Sequence, residues 1–487
     1  LNERYSEIEV SMGREIETED FSPGDFDTFR DRLRHETATL KSWFDRRAFD
    51  DSDTLTVGLE LEAWLLDENA LPAPVNEAFL AAASHPDIVE ELSAFNVEIN
   101  APPQTLAGDV LSKTEAALRD VWSVCRATGD AMGVRPAMLG ILPTVRDEML
   151  QLDWMSNANR YRALNRQLMQ RRAGKPLEID IRGHDHLNYR CDHIMLEASC
   201  TSLQAHIKVN QEDCVRFYNA GVLAAGPLVA ATANSPFLYG KSLWCETRIA
   251  AFEQATNVDG FRDAAGRNVR RVTLGTGYLR RSFLELFVEN LSFPVLLPAL
   301  IGTAERLPHL QLQNGTVWRW VRPILGFDGS GTPHLRIEHR VMPAGPTLVD
   351  TVANLALCHG VMLALAKAPR APEAETPFED ARSNFYACAK DGLDADVVWE
   401  GRRTNVQRLL LESLIPAARR ALKDADLLSE DISHYIDEVI VNRVRSGRTG
   451  AAWQRSFIEC NSHNFQALTE RYVALQDTNA PVHTWEV

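Results

Sequence analysis

Glu60 and Glu62 stand in the run TVGLELEAWLLD, residues 56–67, separated by a single Leu inside otherwise apolar sequence. Successive side chains of a β-strand point to opposite faces, so both carboxylates project from one face, ~7 Å apart. A strand with one face in water would carry them there without further consequence. Two carboxylates on one pleated face also repel unless a cation sits between them, and that second reading implies a metal site.

Three further runs repeat the design. In SLQAHIKVN, Ser202, Gln204, His206, Lys208 and Asn210 alternate with Leu203, Ala205, Ile207 and Val209. In LRIEHRV, Arg336, Glu338 and Arg340 share one face, with Leu335, Ile337, His339 and Val341 on the other. In EELSAFNVEINAPP, Asn96, Glu98 and Asn100 alternate with Val97 and Ile99 before a Pro pair that is expected to stop the strand. Any one polar face is ordinarily a solvated one. Together they combine carboxylates with His, Lys and paired Arg, the inventory for a metal-bound polyphosphate: hard oxygens for Mg²⁺ and cations for phosphate. The usual nucleotide loops are missing, with no GxxxxGK[ST] and no GxGxxG after a strand. DGSG at 328–331 reads as the hairpin turn that joins TVWRWVRPILGF to HLRIEHRV.

The elements that must position these residues follow from pattern and composition. The chain has 487 residues, 45% hydrophobic and 24% charged, an ordinary globular balance with ample material for a core. A net charge of −16 argues against a nucleic-acid partner. AGVLAAGPLVAATA and LSFPVLLPALIG are too short and too rich in Gly or Pro for membrane spans and read as buried helices. LNERYSEIEVSMGREIETED lacks the basic-then-apolar order of a signal peptide, so a cytoplasmic protein without membrane partners is expected. The eight cysteines form no CxxC pairs. His184, His186, Cys191, His193 and Cys200 are zinc-type ligands in a spacing that matches no standard pattern, so no zinc site is expected.

Residues 1–54 are acidic and helix-like and read as an appended arm. Residues 55–370 mix strand-like runs with helices such as GDVLSKTEAALRDVWSVCRATG, and PTLVDTVANLALCHGVMLALAK opens with a Thr347-x-x-Asp350 capping box. After the Pro-rich connection APRAPEAETPFED, residues 371–487 read as a helical subdomain packed on the same domain. The fold class is therefore α+β: a sheet with helices on one face and an open, ionic bowl on the other.

These segments resemble the glutamate-cysteine ligase family, in particular its bacterial carboxylate-amine ligase branch, related in fold to glutamine synthetase. GLELE is similar to the family's GxExE strand, ELSAFNVEINAPP to its acid-then-ElnTpp segment, and RIEHRVMPAGPTLVDTVANLA to its ExRxxDtPlT segment. QAHIKV resembles the HVHVG strand, NANRYRAL an NxRYxxL segment, and NFYACAKDGLDADV a weaker motif further on. The resemblance implies a twisted, largely antiparallel sheet whose concave face binds ATP, two or three Mg²⁺ ions and an amino acid. Glu60, Glu62, Glu98 and Glu338 then match metal-binding carboxylates, and Glu91 takes a position where the family usually has Asp. His206 matches a metal- or substrate-facing His and Arg340 a phosphate-facing Arg, with Arg322 and Arg248 on family Arg-Pro and Thr-Arg pairs. Lys208, a nucleotide-side position, replaces His or Asn; Ala94 replaces an acid found in many members; and Pro343 with Ala344 replaces Asp-Thr. Residues 171–200 look like an added hairpin able to reshape an acceptor pocket.

The implied reaction activates the γ-carboxylate of glutamate with ATP to an acyl phosphate, which cysteine's amine attacks. Arg340, Arg322 and His206 would act on the reacting groups, and Arg340, Arg248 and Lys208 would hold nucleotide. A different amine, a small molecule or a protein lysine, would fit the same scaffold, as would a non-catalytic nucleotide or metabolite binder. Small-molecule amino acids are the expected partners, and the oligomeric state, including a homo-oligomer, is left open.

Overall fold

The computed structural model describes residues 15–258 and 270–487, so residues 1–14 of the expected arm, like most of the run compared with a signal peptide, lie outside the described residues. Helix α1 (Pro23–Arg46) starts at a reciprocal cap between Ser22 and Asp25. It is followed by β1 (Thr56–Leu66), α2 (Asn76–Ala83), β2 (Ile88–Glu90), β3 (Asn96–Thr105), α3 (Val110–Met132) and β4 (Arg135–Ala137). Helix α4 (Asn159–Arg171) leads into the hairpin β5 (Leu177–Arg182) and β6 (His186–Cys191), then β7 (Ser202–Val209) and α5 (Cys214–Thr232). The short ladder β8 (Phe237–Leu238) with β9 (Lys241–Ser242) precedes α6 (Thr247–Ala255), α7 (Leu284–Asn290) and α8 (Pro308–Gly315). Strands β10 (Val321–Phe327) and β11 (Pro333–Pro343) then pass into α9 (Leu348–Ala366).

Among the described residues one sheet has the order β10-β11-β7-β1-β3-β2, with β4 also paired to β1. Every pairing in it is antiparallel. The alternation in the sequence is realised: Leu335, Ile337 and Val341 are fully buried on the face covered by α5 and α9, opposite the ionic face. The turn after β10 is the expected hairpin, closed by Asp328 N–H donating to Thr332 O and Gly331 N–H to Asp328 O.

Two irregularities shape the polar face. Val57 pairs Gln104 while Leu59 pairs Ala101, so Pro102 and Pro103 together oppose Gly58. The Pro pair therefore does not stop β3. It occupies a bulge, where missing N–H donors leave no ladder bond unmade. On β11, His339 pairs Ala205 and Met342 pairs Leu203, so Arg340 and Val341 together oppose Gln204.

Four expectations of local structure are corrected. Helix α1 is part of the core, burying Phe29, Leu33, Leu40, Trp43 and Phe44 on one stripe. Glu36 on the same stripe accepts from Leu310 N–H at 2.8 Å and lies 2.5 Å from His309 Nδ1. LSFPVLLPALIG forms no helix, because Pro294 and Pro298 each remove a backbone donor within one short stretch. Thr347 caps α9, with Asp350 N–H donating to its hydroxyl at 3.1 Å, but the Asp350 carboxylate does not close the box. It accepts from the Thr347 hydroxyl at 2.8 Å, meets Arg443 at 2.7 Å and accepts from Val482 N–H, tying the C-terminal helices to α9. The last correction concerns length. Helices α5 and α9 have 19 residues each and are apolar enough to cross a membrane, yet their apolar windows are 89% and 94% buried within the fold, as core helices are.

Beyond residue 371 the chain is mostly helical, apart from a small hairpin at Asp396–Trp399 and Arg402–Asn405. Its apolar side chains join the same core cluster as those of the sheet.

Candidate functional site

The polar face is the floor of a cavity of about 980 Å³. Strand β1 contributes Glu60 and Glu62, β3 Glu98, β7 Gln204, β10 Arg322, and β11 Arg336, Glu338 and Arg340. Glu90 and Glu91 stand at one rim, and α4 lies opposite the floor with Arg160, Tyr161, Leu164 and Leu168.

Cross-strand register decides which charges meet. Arg322, Glu338 and His206 occupy one row across β10, β11 and β7. Arg322 grips Glu338 with two bonds, Nε to Oε2 at 2.6 Å and Nη2 to Oε1 at 2.8 Å, and Arg340 Nη1 lies 3.2 Å from Oε2. Burial alone would raise the Glu338 pKa; the charges of Arg322 and Arg340 overturn that and hold it far below the usual carboxylate range. The bulge on β11 sets Arg340 against Gln204, to whose Oε1 it donates. Arg336, on the same face, makes no ion pair with any described residue, and its Nε is buried without a hydrogen-bond partner.

Glu62 and Glu98 face each other in the β1–β3 register. Glu62 accepts from Ser202 N–H at 2.7 Å, from the Ser202 hydroxyl at 2.9 Å and from Gln204 Nε2 at 3.0 Å. Burial, with Glu91 close by, still pushes its pKa up to about 7, and burial raises that of Glu91 as well. Glu60 differs. Burial opposes its charge, but His206 outweighs that and holds the carboxyl below its ordinary value. The His206 Nε2 to Glu60 Oε1 distance is 3.2 Å, with the ring turned off the hydrogen-bond line.

Glu60 and Glu62, expected from their spacing on the strand to flank one cation, do not fall into one group of converging ligand atoms. They belong to two groups, Glu62 with Glu91 and Glu98, and Glu60 with His206 and Glu338, in each of which the ligand atoms lie within 4.8 Å of one another. Three carboxylates converging in a buried place, two with raised pKa, are a donor set for a hard divalent cation such as Mg²⁺. In the second group the Glu338 oxygens are already engaged by two arginines.

Two expected ligand-side residues lie elsewhere. Arg248 is 1% exposed beneath the sheet, its Nε 3.1 Å from Glu246 Oε1, and it donates to the carbonyls of Arg340 and Val341. The bulge turns those two carbonyls out of the ladder, and Arg248 satisfies them. Lys208 shares the floor's face but is bonded to Asp50, which follows α1, and does not line the cavity. The zinc-type residues do not converge either: His186 pairs with Asp180 at 3.1 Å, His193 reaches Gln151 at 3.3 Å, and none joins a metal-competent group among the described residues.

Several lining residues were not singled out from the sequence. Arg160, 3.1 Å from Glu90, and Tyr161, whose hydroxyl accepts from Arg160 Nη2 at 2.9 Å, come from the NANRYRAL run, which gave a signal without a role. Gln204 and Arg336 were visible only as members of polar faces. Glu197, from the short turn Glu197–Ser199, has a carboxyl that burial, reinforced by Glu91 and Glu62, pushes up to about 8; no periodicity marks it.

Comparison with known proteins agrees with this architecture. The bifunctional glutathione synthetase from Pasteurella multocida superposes with a TM-score of 0.53 at 12% identity, over 87% of this chain and 53% of that one. This chain thus spans about half the length of that protein. The glutamate–cysteine ligase from Francisella tularensis in complex with AMP aligns over 90% of this chain and 96% of its own, with 11% identity and a TM-score of 0.49. No curated protein matches the sequence. The family model described as Glutamate-cysteine ligase family 2 (GCS2) matches residues 56–472, from the first sheet strand to the last long helix, and the chain belongs to that family.

Proposed function

We propose that the protein is an ATP-dependent carboxylate–amine ligase that activates the γ-carboxylate of glutamate as an acyl phosphate and passes the acyl group to an amine. One observation carries this reading: the carboxylate group Glu62, Glu91 and Glu98 shares a single cavity with Arg322, Arg336 and Arg340. A carboxylate oxygen attacks the γ-phosphorus of ATP, the bond to the bridging oxygen breaks and ADP leaves. The amine nitrogen then attacks the acyl carbon, the carbon–oxygen bond to phosphate breaks, and the nitrogen sheds a proton.

Glu62, Glu91 and Glu98 would hold Mg²⁺, which supplies positive charge against the phosphate oxygens. Arg336, with no carboxylate partner among the described residues, meets phosphate directly. Arg340 and Arg322, fixed by Glu338, present the rest of their forked donors to the transferring phosphoryl group without reorganising during transfer. The Glu60 carboxylate stands 3.2 Å from His206 Nε2, and α4 covers the floor so that an acyl phosphate is kept from water.

Cysteine is the reference acceptor. A second reading, an amine other than cysteine, is favoured by the apolar surface of α4. Phosphate release from Mg-ATP that requires both glutamate and an amine tests the ligase reading, and ATP binding without such release would replace it with a nucleotide-binding role. Glu62→Gln should lower turnover at least a hundredfold, as expected when a ligand to catalytic Mg²⁺ is lost, with the melting temperature maintained. Unchanged turnover would remove the metal assignment.

A further inference from the structure

The ionic floor does not account for the ceiling of the cavity. Arg160, Leu164 and Leu168 stand at i, i+4 and i+8 on α4, so one face of the helix looks onto the floor. Arg160 anchors one end, 3.1 Å from Glu90. The helical rise carries Leu168 about 12 Å further along the cavity. Ile194 and Leu297 extend the apolar surface.

Glu197 follows Ile194 by one turn and also lines the cavity. Its carboxylate makes no hydrogen bond or ion pair with any described residue. It also stands outside both groups whose ligand atoms come within 4.8 Å of one another, so the metal-competent carboxylates leave it free. Ile194 and Glu197 both lie in the connection between β6 and β7. A free acid beside an aliphatic wall is complementary to a molecule with a basic nitrogen and an apolar body, because an alkylamine outcompetes a carboxyl for the proton between them and the pair forms as ammonium and carboxylate.

We propose that the acceptor is a primary amine whose apolar body is larger than the cysteine side chain, its nitrogen held by Glu197 and its body lying along Leu164, Leu168 and Ile194. The proposal rests on the ligase reading for the fate of the amine, and on the cavity alone for its binding. Each methylene that enters such a wall is worth about fourfold in affinity.

The test uses the full chain with Mg-ATP and glutamate, and reads phosphate release with cysteine, methylamine, hexylamine and 2-phenylethylamine. Calorimetry measures the binding of hexylamine and of hexanol in parallel. The expected result is a kcat/KM for hexylamine or 2-phenylethylamine at least tenfold above those for cysteine and methylamine, with hexanol bound at least tenfold more weakly than hexylamine. Glu197→Gln should raise the KM for the amine at least tenfold and leave the KM for ATP and the Mg²⁺ requirement unchanged. Leu164→Gln, or Ile194→Thr if the first variant melts early, should lower the preference for hexylamine over methylamine at least fivefold. Full turnover with cysteine or methylamine preferred overturns the proposal and leaves the ligase reading standing. A rise in the KM for ATP in these variants assigns the wall to the nucleotide and overturns it too. Hexylamine bound through Glu197 while no amine releases phosphate preserves the site and removes the ligase reading; neither binding nor release removes both.

Discussion

Arg340 and Arg248 are both buried arginines next to a carboxylate, and their surroundings give them opposite duties. Arg340 lies 3.2 Å from Glu338, donates to Gln204 and lines the cavity. An ammonium reproduces the charge of a guanidinium but not its planar fork, so Arg340→Lys should lower kcat by at least tenfold in a variant that melts near the wild-type temperature. Steady-state kinetics with near-wild-type kcat would make the residue scaffold. Arg248 does not line this cavity. It neutralises Glu246 and satisfies two carbonyls of β11, so Arg248→Met leaves a buried charge and two acceptors unmet. Removing one partner of such a pair costs roughly 3–5 kcal/mol. Denaturant unfolding should register that loss, whereas direct nucleotide contact by Arg248 would show as a raised KM for ATP with stability intact.

At the scale of elements, the β11 bulge and α1 matter most. The bulge places two residues of β11 opposite Gln204, which aims Arg340 at the amide of that residue and frees the carbonyls that Arg248 collects. Helix α1 packs against α7 and α8, which flank the loop of Leu297 and the Trp318 side of the cavity. An appended arm would tolerate truncation of its apolar residues. Phe29 is fully buried, and Phe29→Ala should cost about 3–5 kcal/mol in denaturant unfolding. A loss below 1 kcal/mol, about the size of a surface substitution, would restore the arm.

For the whole molecule, the helical layer behind the sheet sets a pH limit. His339, on the covered face of β11, donates from Nε2 to Gly221 O of α5 at 3.1 Å, and His359 is buried on α9. Burial lowers both pKa values to about 4 from the ordinary 6.5. Above pH 6.5 both are neutral in folded and unfolded chains. Between 6.5 and about 4 the unfolded chain takes up protons that the folded one refuses, so stability falls with pH by up to about 1.4 kcal/mol per pH unit for each histidine. Glu62 and Glu197, whose carboxyls burial lifts to about 7 and about 8, work in the opposite direction over this range, so the histidine contribution is read as a difference: between pH 7 and 4.5 the melting temperature of His359→Leu should rise relative to that of the wild type. An equal slope in that variant would place the titration elsewhere.

Period-two alternation in four short runs was enough to put Glu60, Glu62, Glu98, Gln204, Glu338 and Arg340 on one face, because side-chain direction in a strand depends only on the strand's own residues. The 328–331 turn was legible for the same reason, its chemistry being local, whereas the hairpin at 177–191 was expected only from the family resemblance, as part of residues 171–200. Tertiary structure alone decided the partners. Glu62 meets Ser202 and Gln204 across 140 and 142 residues of chain, and that register separates it from Glu60. The same holds for Arg248 under β11, for α4 over the floor and for the pairing of Asp350 with Arg443, each fixed by packing between elements distant in sequence. Neighbouring residues dictate which way a side chain points, but what it meets depends on which strand or helix the finished fold brings opposite, and no local pattern carries that information.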